Sequence, residues 1–256
     1  MSVDMNVFRF RQELQRLPTF VPLGRYDQMV QRASIPAWRA VFTSVVLMRH
    51  VAGYSLPGLD LFVRCYAKNF QHHEAFRRKK PDLYARLMTD EGWPTPGLLR
   101  RLSSLYETGM TEIYVYAVLA QAVEDKLQRG LVLYDARVDW KGKCDVVVLS
   151  GGRALRIDTH YDPGKPRGQI ERMRDETEQE TKVNTHVSSH WNNTELKAMR
   201  QLCVVRSAAD HEKLCGFTLF SRTALDGLLT QVYDELRVPL GERVWMEELL
   251  TTPPGQ

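Results

Sequence analysis

Apolar positions in the first half of the chain recur at helical spacing. Val7–Leu17 carries one such stripe, stopped by Pro18. Ala37–Val51 places Trp38, Val41, Phe42, Val45, Val46 and Met48 on more than one face and reads as a buried helix. Gly53 and Pro57 mark a loop, and Leu59–Phe70 and Pro81–Met88 read as further helices. A rigid Trp93-Pro94-Thr95-Pro96-Gly97 loop precedes a helix over Leu98–Tyr106. Thr111–Gln128 is the strongest helical stretch. Thr111 is its expected N-cap, Glu112 lies in its first turn, and Gly130 follows its end.

After Gly130 the period changes to two. Leu131–Val138 is a strand candidate, Trp140–Lys143 a hairpin turn, and Cys144–Leu149 a β-branched run. Ser150-Gly151-Gly152 turns again, and Arg153–His160 alternates polar with apolar. A charged helical stretch over Gly168–Val187 follows, then short strands at Cys203–Val205 and Phe217–Phe220 and an amphipathic helix over Thr223–Leu236. Three strands joined by tight turns form an antiparallel meander, and a strand arriving after a helix adds in parallel. The expected class is α/β: a helical region over 1–107, a mixed sheet flanked by helices over 108–250, and a disordered tail over 251–256.

Composition narrows the function. With 43% hydrophobic and 26% charged residues over 256 positions, the chain is expected to fold around a sizeable core. It has no apolar run of membrane-spanning length, and the polar segment Met1–Arg11 lacks a signal-peptide core. The four cysteines, Cys65, Cys144, Cys203 and Cys215, form no CxxC pair. Neither a zinc site nor a disulfide framework is indicated, and a reducing cytoplasm is the expected location. GxxxxGK[ST], GxGxxG and GxSxG are all absent, so no nucleotide cofactor or serine triad is expected. The net charge of +4 permits a nucleic-acid partner. Cations crowd between Arg64 and Arg101, and Arg77, Arg78, Lys79 and Lys80 form the densest group, a candidate phosphate contact.

The acids on the β half carry the candidate chemistry. Asp145 opens the second strand and Asp158 closes the third, so a hairpin can set the two carboxylates at one end of the sheet. His160 and Arg156 share the face of Asp158, while Leu155 and Ile157 take the other. Glu112, on the preceding helix, is placed to lean over the same region. Converging carboxylates suit Mg²⁺ or Mn²⁺, which activate water and stabilise charge on a phosphodiester. Each acid also has a structural reading. Asp145 is a turn residue bonding nearby backbone, Asp158 an ion-pair partner of Arg156 or His160, and Glu112 a first-turn acid favoured by the helix dipole. The His186/His190 pair, spaced i, i+4 in a polar stretch, reads as surface.

The arrangement resembles the PD-(D/E)xK, restriction-endonuclease-like phosphodiesterases. The residues that carry the resemblance are Glu112 in GMTEIYVYAVLAQAVEDKL, Asp145 in KGKCDVVVLSGG, and Asp158-Thr159-His160 in LRIDTHYD; it covers roughly residues 108 to 236. It implies a Mg²⁺-dependent DNA endonuclease that leaves a 5′-phosphate, with Asp145, Asp158 and Glu112 as metal ligands and His160 at the catalytic position. It further implies a home in a mobile element or defence system, and a chain this small without a nucleotide site is expected to need a homodimer or protein partner to cut both strands. Lys141, Lys143 and Lys165 are further basic candidates near the site, the first two also for nucleic acid. The family's lysine is here His160, which can act as general base or metal ligand, or mark an inactive core kept for nucleic-acid binding or assembly. A third reading is a helical interaction protein with a small β appendage.

Overall fold

The computed structural model describes residues 6–33, 35–134, 145–151, 153–161, 200–206 and 210–253. Helix α1 (Val7–Arg16) is capped by Asn6, whose side chain accepts from the Arg9 N–H. A short α2 (Gln28–Arg32), capped by Asp27, precedes α3 (Trp38–Phe42), which runs through a π turn (Thr43–Leu47) into α4 (Met48–Val51). Then come α5 (Leu59–Gln71), α6 (Glu74–Lys79) and α7 (Pro81–Leu87).

The next element departs from the sequence pattern. The expected helices at Leu98–Tyr106 and Thr111–Gln128 are one, α8 (Pro96–Leu119), capped by Thr95 and continued by a π-helical segment (Ala120–Lys126). Gly109 and Thr111 look like a helix boundary, but tertiary packing overrides them. A Cβ at Gly109 would lie 2.5 Å from Phe42 Cζ, so the glycine is needed where the Phe42 ring crosses the helix. Thr111 is not an N-cap. It is buried mid-helix, with its Oγ1 2.8 Å from the Thr218 carbonyl oxygen and 3.1 Å from that of Glu107.

Helix α8 is the spine of the molecule. It packs against α1, α2, α3, α5 and α7 from the helical half, and against three strands of the β half, β1 (Leu131–Leu133), β2 (Val146–Ser150) and β6 (Phe217–Phe220). One cluster of buried side chains extends from Val7 to Leu249, and residues 107 and 108 both lie inside α8. Phe42, Phe62 and Tyr106 meet in it edge-on or tilted, and Phe20 stacks on Phe217 at 4.9 Å.

The main sheet is mixed. β1 pairs antiparallel with β2, β2 antiparallel with β3 (Arg153–Tyr161), and β3 parallel with β4 (Arg200–Arg206). That is the expected order of meander followed by a parallel strand. The connection between β3 and β4 lies outside the described residues, and with it the expected helix over Gly168–Val187 and the His186/His190 pair. The Trp140–Lys143 turn lies outside them too. Phe217–Phe220 is a strand as expected, but it pairs with β5 (His211–Leu214) in a separate two-stranded sheet. Cys215 and Gly216, both at positive φ, make its tight turn. α9 (Arg222–Leu236) and α10 (Met246–Thr251) close the chain. Thr251, expected in a disordered tail, ends α10, and residues 254–256 lie outside the described part. Among the described residues no helix is long and apolar enough to cross a membrane.

The two faces of the main sheet differ. Val146, Val148, Leu155 and Ile157 belong to the large core, whereas Val147 packs with Leu133 and Leu149 on the other side. The register Val146↔Ile157 and Val147↔Arg156 fixes this alternation, so Thr159 continues the core face of β3 and Asp158 the opposite one.

Candidate functional site

Two of the sequence candidates meet, through a residue that the sequence reading did not single out. Glu112 lies mid-helix on α8, not in a first turn, so the helix dipole does not account for it. It faces Arg39, on α3. Arg39 Nη1 donates to Glu112 Oε2 at 2.5 Å and Nη2 to Oε1 at 3.3 Å, while Nη2 also donates to Asp145 Oδ1 at 3.2 Å. The Tyr134 hydroxyl donates to Glu112 Oε2 at 3.1 Å. One guanidinium therefore bridges both carboxylates, and a phenol supports one of them.

The cluster is buried. Side-chain exposure is 9% for Arg39, 3% for Glu112 and 15% for Asp145. Arg39 also lies over the Trp38 ring at 5.1 Å and the Tyr134 ring at 5.8 Å. Burial, and after it the charge of Asp145, pushes the Glu112 carboxyl up to about 8, against the opposing pull of Arg39 and the Tyr134 hydroxyl. Burial and then the charge of Glu112 hold the Tyr134 phenol well above its ordinary value.

Asp145 sits just before β2. Its N–H donates to the Ile157 carbonyl at 3.1 Å, and its Oδ2 accepts from both the N–H and the hydroxyl of Thr159 at 2.7 Å. The carboxylate thus stands in for a backbone carbonyl at the end of the β2–β3 ladder, which is the turn-residue reading of Asp145. In taking that role it turns onto the core face, toward α8. Asp158 is adjacent in the ladder and only 5% exposed, but alternation sets it on the opposite face. The structure thus joins Glu112 with Asp145 through Arg39.

His160 follows on β3, in register with Val205; its side chain, like Lys141, Lys143 and Lys165, lies outside the described residues. Among the described residues, no three His, Cys, Asp or Glu side chains group as a metal site requires. The divalent ion implied by the nuclease resemblance does not fit this arrangement. Asp145 spends one oxygen on Thr159 and the other on Arg39, and both Glu112 oxygens face Arg39.

The remaining candidates, Arg77, Arg78, Lys79 and Lys80, straddle the α6–α7 junction and are all exposed. Between residues 64 and 86 the exposed charges are Arg64, Lys68, these four and Arg86, against Glu74 and Asp82. The aromatics of the segment are structural. Tyr66, Phe70 and Tyr84 stack in series, and Arg77 lies over the Tyr84 ring at 5.4 Å.

Arg39 and Tyr134 are what the sequence reading missed. Arg39 did leave a signal, a cation between Trp38 and the apolar positions Ala40, Val41 and Phe42 of the run Ala37–Val51, since a charge in a buried helix needs a partner. Compared with protein-family models, curated proteins and solved structures, the chain matches none.

Proposed function

We propose that this chain is a nucleic-acid-binding protein on a restriction-endonuclease-like α/β core, with its acidic site neutralised from within. The observation that carries the reading is the exposed cationic segment from Arg64 to Arg86, in which seven cations face two acids. Phosphate backbones are bound by exposed Lys and Arg through counterion release, and a cluster of this density suits that partner. The order helix, antiparallel meander, parallel strand supports the nuclease-like core.

The binding test is a mobility shift on duplex and single-stranded DNA across a salt series. Expected is binding that weakens steeply with salt, needs no Mg²⁺ and is no tighter in Mg²⁺ than in EDTA, and falls when Arg77, Arg78, Lys79 and Lys80 are replaced by Gln. Binding that is absent at low salt, or indifferent to the four substitutions, counts against the proposal and favours the helical interaction protein.

A second reading, the Mg²⁺-dependent DNA endonuclease, has one specific support. Glu112 and Asp145 do converge at one end of the sheet, with Asp158 and His160 following on β3. Incubating supercoiled DNA with Mg²⁺ or Mn²⁺ decides between the two. Metal-dependent nicking that is lost in Asp158→Ala establishes the endonuclease.

A further inference from the structure

The Glu112–Asp145 pair poses an electrostatic problem. Two carboxylates at one largely buried site repel each other and lose hydration, so such a pair persists only with a compensating cation or by protonation. A metal-dependent core solves this with a divalent ion. Here the described cation is Arg39, which gives three N–H···O contacts to the two carboxylates at 2.5 to 3.3 Å.

The backbone around Arg39 is unusual. α3 is entered through Ala37 at φ 56°, a left-handed conformation uncommon for a residue with a side chain. It leaves through the π turn Thr43–Leu47. π turns concentrate at functional positions because the extra residue re-aims the side chains around it. Trp38 and Tyr134 flank the guanidinium, and Tyr134 also bonds the acid that Arg39 holds. Two departures from regular backbone thus bracket the helix that delivers the cation to carboxylates 73 and 106 positions away.

We propose that Arg39 is the resident cation of the Glu112–Asp145 site, holding the place a divalent ion takes in a metal-dependent core, so that the pair accepts such an ion only when Arg39 is removed. This deepens the proposed function and rests on it for the identity of the core. It assigns Arg39 a role that a bland buried ion pair lacks: excluding metal from the acidic site.

The test is thermal denaturation of the full chain, without nucleic acid, in EDTA and in millimolar Mn²⁺. The wild type is expected to melt at the same temperature in both. Arg39→Gln, which keeps much of the side-chain stem, is expected to melt lower in EDTA and to rise by about 5–10 °C in Mn²⁺. The rise should disappear in the double variant Arg39→Gln/Asp145→Asn. Arg39→Lys, which keeps one charge, should lie between wild type and Arg39→Gln in both buffers, and it reports if Arg39→Gln does not fold. A wild type raised by Mn²⁺ in an Asp145-dependent way overturns the proposal. So does a folded Arg39 variant that melts lower but ignores Mn²⁺. Because the readout is melting without nucleic acid, failure here leaves the mobility-shift result standing, and failure there leaves this one standing.

Discussion

Arg39 and Arg78 each hold a glutamate, at 2.5 Å and 2.8 Å, and the two pairs have opposite consequences. The Arg39–Glu112 side chains are 9% and 3% exposed, whereas those of Arg78 and Glu74 are 80% and 73% exposed. In the buried pair neither side chain can turn to water if its partner is lost, so the contact is structural and specifies how α3, α8 and the β2–β3 ladder end meet. In the exposed pair both charges stay hydrated, and exposed pairs contribute at most about 1 kcal/mol. Arg78 therefore remains available to a phosphate. The same residue type does internal work in one region and leaves its charge to a partner in the other.

The largest effect expected is from breaking the buried region. Arg39→Ala should destabilise the fold by about 3–5 kcal/mol, because Glu112 and Asp145 are left without their cation. Urea denaturation measures this. An effect below about 1 kcal/mol would mean that Arg39 contributes no more than a surface charge.

Next is the exposed region. Replacing Arg77, Arg78, Lys79 and Lys80 together by Gln should reduce the slope of log affinity against log salt by up to about 3.6, since each lost phosphate contact removes about 0.9. Melting temperature should hardly move. A stability loss as large as that of Arg39→Ala would erase the contrast between the two regions.

The pH response sharpens the buried side. Glu112 titrates higher in the folded chain, at about 8, than an unfolded glutamate does. The folded chain therefore binds more protons through this group. Its contribution is fully present below the unfolded value and is lost as pH rises toward about 8. The melting temperature of the wild type should fall relative to that of Glu112→Gln between pH 5 and pH 8, as differential scanning calorimetry at several pH values would show.

The smallest effect is from Glu74→Ala. Loss of its exposed partnership with Arg78 should change stability by less than about 1 kcal/mol. Removing an acid from the cationic segment should slightly strengthen DNA binding, read by the same mobility shift.

Much of the β half was legible. Val146, Val148, Leu155 and Ile157 alternate with period two, and tight turns between such runs force antiparallel pairing. The parallel fourth strand followed from element order. The helical half was less legible where tertiary contacts overrule local signals. Thr111 looked like a helix start because a cap former ahead of an apolar run usually is one, and no local pattern announces the Phe42 ring that packs on Gly109 just before it. The site was half legible. Glu112 and Asp145 stood out as acids beside apolar runs. Their common partner did not, because periodicity shows which face a residue takes and not which distant charge it meets. Asp158 was read as a neighbour of Asp145, and along the ladder it is. What no spacing could show is that the Asp145 carboxylate accepts the Thr159 N–H at the ladder end.

The most direct test of the central claim is cleavage and binding measured together on one labelled DNA, in EDTA and in Mg²⁺, for the wild type and Asp158→Ala. An acidic site neutralised by Arg39 predicts affinity no higher in Mg²⁺ than in EDTA, intact DNA throughout, and an unchanged result in the mutant. Cutting that requires Mg²⁺ and disappears with Asp158 would contradict it.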